Sequence, residues 1–193
     1  MAATLTAAVL VTTVSPASAE RDRSRDARRD VVQATFLADG QTVAVNRPDN
    51  AAQDIVAITV RYGGGRVRLA LTVRDLPRRK LGVVWYVRTP VRTWAVGFVH
   101  NADHRRTFFE DSRGGVDDRA RPCRRLRARQ LNAADRVVLT FPRACIGPQR
   151  WIRTGAWTWR PPVPNDTAVM DDARLRSGPP NYGPKLGRRL HYN

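Results

Sequence analysis

The chain has 193 residues and a net charge of +17 at pH 7, from 34 lysines and arginines against 17 aspartates and glutamates. This length suits one domain with a hydrophobic core. No apolar run reaches the roughly 20 residues that a membrane-spanning helix needs, so we expect no transmembrane segment in the mature chain. With two cysteines, no CxxC motif and no histidine near either cysteine, a zinc site is not expected.

Residues 1–19 have the layout of a secretory signal peptide. They contain no charged side chain, are apolar from Ala2 to Val14, and end in small residues up to Ala19. An apolar segment followed by a small-x-small cleavage site predicts export, and hence a secreted, extracellular protein. The basic residues that usually precede the apolar segment are missing, and the alternative is a plain apolar N-terminus of a cytosolic protein.

Export determines how the two cysteines are interpreted. In an oxidising compartment an even number of cysteines predicts a disulfide, here Cys123–Cys145. Closing that loop stabilises the fold by roughly 3 kcal/mol on the chain-entropy model.

The remaining chain divides into a leader and one domain. Residues 20–30 are charged and lack apolar periodicity, which predicts a flexible leader. From Val31 onward the pattern is that of strands. The clearest element is a hairpin, in which two alternating runs, 54–62 and 66–74, flank Gly63-Gly64-Gly65. The second run has one apolar face and one partly charged face, so it should cover a core on one side only.

Further short strands follow, with turn signals every eight to twelve residues and no convincing amphipathic helix. The pattern predicts an all-β domain over residues 31–193, an antiparallel β-sandwich of immunoglobulin-like or jelly-roll-like type, with a closed barrel as the alternative. Residues 123–131 fit either a helical turn or a strand, and residues 162–185 are expected to be loop-rich. The additional expected strands are 31–37, 83–88, 94–99, 107–109, 137–141, 151–159 and a final edge strand within 186–192.

The basic charge has two interpretations. Only Lys80 and Lys185 are lysines, and arginine without lysine is what GC-rich codon usage produces. The arginines could be a solvated basic surface or a contact for a polyanion such as a cell-wall glycan, an anionic polymer or an anionic lipid surface. Specific nucleic-acid recognition is not expected.

Aspartate pairs suggest a possible calcium site. Asp117-Asp118 and Asp171-Asp172 are expected in loops, and Ca²⁺ prefers several carboxylate and carbonyl oxygens. Together with Asp166 they could form one site if the fold brings these loops together. Salt bridges to the many arginines are the simpler use of these carboxylates.

Tryptophans give a hint of ligand binding. Trp157 and Trp159 share one face of a predicted strand, while Ile152 and Ala156 occupy the other. Exposed tryptophans can stack on sugar rings, and with Arg153 and Arg160 they would form a tentative carbohydrate-binding surface. Core packing of the tryptophans is the alternative.

Catalytic signatures are weak. His100 and His104 flank an expected turn, and no GxSxG motif exists. We therefore expect no cofactor other than possible Ca²⁺, and an exported, non-catalytic, binding or envelope-associated module. The alternative is a secreted enzyme with a loop-borne site around these histidines, Asp117 and Asp118.

Several segments resemble a group of known proteins. They are the hairpin ending in Arg74-Asp75-Leu76, the apolar strand from Val83 to Thr89, the stretch Phe141-Pro142-Arg143-Ala144-Cys145-Ile146-Gly147 with Trp151, and Asp171-Asp172-Ala173. In this order they resemble small exported β-sandwich proteins of high-GC Gram-positive bacteria, which are similar in outline to carbohydrate-binding family 9-like and DOMON-like domains. The resemblance implies the sandwich fold and the Cys123–Cys145 bridge, and it implies no particular activity.

Overall fold

The structure, a computed structural model, describes residues 19–37, 41–102, 104–112, 123–161, 167–175 and 183–192. Most of these residues lie in strands. Two short 3₁₀ helices, Asn132–Ala134 and Arg143–Ile146, lie before and after the strand Arg136–Pro142. The strands are β1 (Glu20–Arg25), β2 (Val32–Phe36), β3 (Thr42–Asn46), β4 (Ile55–Gly63), β5 (Arg66–Val73), β6 (Leu81–Arg88), β7 (Thr93–His100), β8 (Arg105–Asp111), β9 (Arg127–Leu131), β10 (Arg136–Pro142), β11 (Trp151–Trp159), β12 (Thr167–Asp172) and β13 (Leu190–His191).

The strands form two antiparallel sheets. The five-stranded sheet has the order β1-β4-β5-β10-β9. The eight-stranded sheet has the order β3-β2-β12-β11-β6-β7-β8, and β13 joins it beside β11. This confirms the predicted all-β antiparallel sandwich.

The core lies between the two sheets. Alternation along β5 buries Val67, Leu69 and Leu71 while Arg66 and Arg68 stay exposed, as the sequence pattern predicts. The opposite sheet contributes fully buried side chains, including Trp85. At the predicted hairpin turn, Gly64 and Gly65 have φ values of 58° and 74°, a left-handed conformation that glycine adopts without steric cost.

The predicted disulfide is present. Cys123 and Cys145 are bonded, with their Cα atoms 5.5 Å apart. The bond joins the segment before β9 to the 3₁₀ helix after β10, and both cysteines pack against the core. It therefore closes the edge of the five-stranded sheet where the chain enters β9.

The predicted leader is the main correction. Glu20–Arg25 is not flexible but forms β1, paired with β4 along its whole length. The leader was misjudged because β1 contains no apolar residue. Its inner face is held instead by ion pairs from the C-terminal segment: Arg174 Nη2 lies 2.6 Å from Asp22 Oδ2, and Arg188 Nη1 lies 2.8 Å from Glu20 Oε1.

Other differences are smaller. Asp171 and Asp172, expected in a loop, are the last two residues of β12, a strand that lies within the region expected to be loop-rich. The undecided stretch after Cys123 ends in strand β9, and the final strand is only Leu190–His191. The proposed signal peptide lies outside the described residues up to position 18.

Candidate functional site

The outer face of the five-stranded sheet carries nine exposed arginines, which we call the arginine face. Each occupies an outward position in the alternation of its strand, and every strand of this sheet contributes at least one. The arginine face consists of Arg21, Arg23, Arg25, Arg61, Arg66, Arg68, Arg127, Arg129 and Arg136.

Cross-strand register aligns these arginines in rows. In the first row Arg21 is opposite Arg61, and Arg61 is opposite Arg68. The row continues through Thr140 to Arg127. Neighbouring strands lie about 4.8 Å apart, so one row crosses the whole sheet with arginine at four of its five positions.

The next two rows carry small residues at their centres. Thr59 lies opposite Ala70, and Ala57 lies opposite Thr72, so the side chains in the middle of the face are short. Long arginine side chains surround it. The resulting trough encloses about 370 Å³ and is lined by Arg21, Arg23, Ala57, Thr59, Arg61, Arg68, Ala70, Thr72 and Arg136.

A second groove continues the trough towards the disulfide-bonded end of the sheet. It encloses about 350 Å³ and is lined by Arg66, Arg125, Arg127 and Thr140, among others. Because Thr140 lies directly between Arg68 and Arg127 in the first row, the two grooves are neighbours on one surface. The arginine face therefore carries two neighbouring grooves that share no lining residue.

Carboxylates are segregated from this face. The two acidic residues of β1, Glu20 and Asp22, lie on the opposite side of the strand, against Arg174 and Arg188. Within the described parts of the chain, no arginine of the arginine face has an ion-pair partner. The positive charges thus add to one another and produce a strong field over the trough.

The chemistry of the arginine face is that of binding. Its outward positions on the five strands are occupied by arginine, threonine and small or aliphatic residues. A guanidinium group offers five N–H donors in a planar fork that matches phosphate and carboxylate oxygens. The surface can hold several anionic groups in a row.

The predicted tryptophan site lies on the other sheet. Trp157 and Trp159 are half-buried on its outer face, and the Ile152 and Ala156 face is the one that points into the core. The Trp157 ring packs edge-on against Tyr86, with centroids 5.8 Å apart. Much of the tryptophan surface thus covers the sheet, and a role in carbohydrate binding stays a prediction.

The two predicted arginines beside them differ in environment. Arg153 donates from Nε to the carbonyl oxygen of Gly187 at 2.8 Å and from Nη2 to that of Leu186 at 3.3 Å. Arg153 therefore fastens the C-terminal segment to β11. Arg160 is exposed at the end of the strand, where its backbone N–H donates to the carbonyl oxygen of Val169.

The predicted histidines lie at opposite ends of the turn between β7 and β8. His100 Nδ1 is 3.0 Å from Gln130 Oε1, and His104 Nε2 is 3.3 Å from Asn101 Nδ2. Their hydrogen-bond partners are side-chain amides, which hold the rings in place. Asp117 and Asp118, the acidic partners of the alternative enzyme site, lie outside the described residues.

The predicted calcium ligands do not form one group in the described structure. Asp172 accepts hydrogen bonds from the backbone N–H groups of Arg174 and Lys185, both at 2.9 Å. Burial raises the pKa of Asp172 to about 6, against the opposing effect of these hydrogen bonds. Asp171 turns to the other side of β12, towards Asp26 and Asp30. Asp166 also lies outside the described ranges.

Sequence reasoning did not identify the arginine face, although a signal was present. Arg21, Arg23 and Arg25 repeat with the period of two that places strand residues on one face. Arg66 and Arg68, and Arg127 and Arg129, repeat in the same way. What the sequence does not contain is the pairing order that brings these strands together in one sheet.

No protein-family model matches the chain, and no curated protein is significantly similar to it. Among the described residues the structure contains no helix with the length and apolar character needed to cross a membrane.

Proposed function

We propose that this protein is an exported, non-catalytic module that binds a linear anionic polymer along the arginine face. The observation that carries the proposal is the alignment of nine exposed arginines on one sheet face, with the acidic residues of β1 on the opposite side. Export is the expectation from residues 1–19, and the Cys123–Cys145 disulfide is consistent with an oxidising compartment.

GC-rich codon usage would account for arginine in place of lysine, but not for the alignment of arginines on one face. Like charges directly opposite each other on neighbouring strands destabilise a sheet, and Arg61 lies between Arg21 and Arg68 in this way. Elsewhere arginines are paired with carboxylates, as Arg174 is with Asp22. An anion bound from solution would relieve the repulsion that the fold alone leaves in place.

The polymer that fits best is linear, with a phosphate in each repeat. Arginine binds phosphate through two parallel hydrogen bonds, and arginines two positions apart on a strand are spaced about 6.8 Å apart, which suits successive charges of an extended chain. The outward positions of these five strands hold no aromatic side chain. Bases of single-stranded nucleic acid would have no ring to stack on, so the backbone charge alone would be recognised.

The test is binding of fluorescently labelled inorganic polyphosphate to the full chain, measured by anisotropy between 0.05 and 0.5 M salt. A polyuronate and a single-stranded DNA serve as carboxylate-bearing and base-bearing comparisons. We expect polyphosphate to bind most tightly, and affinity to fall steeply with salt.

Thr59→Glu places a carboxylate in the centre of the trough, at an outward-facing, half-buried position. We expect it to weaken polyphosphate binding at least tenfold while the far-ultraviolet circular dichroism spectrum is unchanged. The matched control is Thr107→Glu, an exposed threonine on β8 of the other sheet. Equal losses for the two variants would show that net charge alone is sensed, and the proposed site would be rejected.

A further inference from the structure

Four aspartates converge where the chain crosses from one sheet to the other. Asp26 and Asp30 lie in the connection between β1 and β2, Asp54 immediately precedes β4, and Asp171 lies near the end of β12. We call these residues the aspartate cluster. Side-chain oxygens of Asp26, Asp30 and Asp171 all lie within 4.8 Å of one another.

Several oxygens of the aspartate cluster are buried and receive no hydrogen bond from another described residue. They are both carboxylate oxygens of Asp30, Oδ2 of Asp26 and Oδ1 of Asp54. The backbone N–H of Asp30 lies near its own carboxylate and lowers the pKa of that group. The Asp54 side chain is 0% exposed. A buried carboxylate oxygen with no donor is costly, and each such atom in a native structure needs an explanation, such as a bound ion.

Backbone N–H groups donate to three carboxylates of the aspartate cluster. Backbone N–H groups of Ala27 and Ile55 donate to Asp26 Oδ1 at 2.9 Å and to Asp171 Oδ2 at 2.6 Å. Asp54 Oδ2 accepts from the backbone N–H of Arg29 at 3.1 Å.

The same Asp54 oxygen lies 2.9 Å from Arg74 Nε. This is the one side-chain ion pair of the aspartate cluster with a described residue. Arg28 and Arg29 also lie near enough for their charges to lower the pKa of Asp54, so three guanidinium groups act on this carboxylate.

The carboxyl groups also affect one another. Burial raises the pKa of Asp26 to about 9, with further contributions from Asp171 and Asp30. Burial likewise raises the pKa of Asp171 to about 8, and the charges of Asp30 and Asp54 add to the effect. These shifts come from the burial of the carboxyl groups and from their like charges.

We propose that the aspartate cluster is a calcium site in which Asp26, Asp30 and Asp171 are the ligands and Asp54 adds buried negative charge. The donor set consists of oxygen only, which hard cations prefer, and it lacks the nitrogen and sulfur ligands that transition metals favour. Calcium tolerates irregular arrangements of six to eight oxygens, whereas magnesium requires a near-octahedral shell. Of the two described aspartates that the sequence nominated for calcium, Asp171 belongs to this site and Asp172 does not.

The position of the site gives it a structural consequence. Its proposed ligands come from the connection between the sheets and from β12, so a bound ion would fasten the segment after β1 to the eight-stranded sheet. The site is separate from the arginine face, and its test does not depend on the polymer-binding proposal.

The test uses the full chain, freed of metal with a chelator and then dialysed. We expect calcium to bind with a Kd of about 10⁻⁴ M or tighter in isothermal titration calorimetry, and 5 mM calcium to raise the melting temperature more than 5 mM magnesium does. Absence of binding heat together with an unchanged melting temperature would overturn the site. Equal shifts with both ions would overturn the assignment to calcium.

The decisive variant is Asp30→Asn, which keeps the shape of the side chain and removes its charge. We expect calcium affinity to fall at least tenfold, while the metal-free variant melts at a higher temperature than the metal-free wild type because repulsion is relieved. Asp26→Asn provides a second variant should the first not fold, and the exposed Asp49→Asn is the matched control. Calcium binding by Asp30→Asn and Asp26→Asn with wild-type affinity would refute the proposal.

Discussion

Removing two central arginines should weaken polymer binding by a calculable amount. Arg61 and Arg68 are adjacent in the first row and both line the trough. For single-stranded polyanions each phosphate contact contributes about 0.7 to the slope of log affinity against log salt concentration. Nine contacts give a slope of about −6, and the double variant Arg61→Ala/Arg68→Ala should reduce it to about −5.

The same relation gives the loss of affinity. Relative to about 1 M salt, each contact raises the affinity at 0.1 M salt about fivefold. The double variant should therefore bind polyphosphate about 25-fold more weakly, a loss of about 2 kcal/mol in binding free energy. Fluorescence anisotropy at five salt concentrations measures both quantities. The control Arg88→Ala/Arg106→Ala removes two exposed arginines from the other sheet. The reasoning is refuted if the slope does not change, or if the control loses as much affinity.

Three further predictions concern stability. Replacing Cys123 and Cys145 by serine should lower the free energy of unfolding by about 3 kcal/mol, measured by urea denaturation, because their separation of 22 residues sets the loop entropy; a loss below 1 kcal/mol would contradict this. Gly82→Ala should cost about 1–3 kcal/mol and shift tryptophan fluorescence to longer wavelength, because an added Cβ would overlap the Trp159 ring, which must move outward; an unchanged spectrum would argue against that displacement. Metal-free protein should lose stability as pH rises from about 4 to about 9. The carboxyl groups of the aspartate cluster have folded-state pKa values above the ordinary 3.8, so the folded protein binds more protons than the unfolded chain over this range. A melting temperature that rises between these pH values would contradict the raised pKa values.

The sequence predicts the fold where a strand buries only one of its two faces. In β5, alternation of Val67, Leu69 and Leu71 with arginines gives both the strand and its inner face, because a strand at the surface of a core must alternate. The disulfide followed from cysteine count and compartment. These features depend on local pattern, so a single sequence contains them.

The remainder depends on distant contacts. β1 was missed because its inner face is satisfied by ion pairs rather than apolar packing, and Asp22 and Arg174 are 152 residues apart. The aspartate cluster combines Asp26 and Asp30 with Asp171 from the far end of the chain. No spacing rule connects such residues, and the acidic pairs that stood out by adjacency include Asp172, whose carboxylate accepts backbone hydrogen bonds.

Strand β1 has a consequence for how the two proposed sites are connected. It presents Arg21, Arg23 and Arg25 to solvent, and the connection that follows it carries Asp26 and Asp30. Polymer bound to the arginines and an ion bound to the aspartates would each hold the same strand in place. The fold already holds this strand through its pairing with β4 and its ion pairs to Arg174 and Arg188. One short segment therefore joins the surface that faces the polymer to the site that faces the ion.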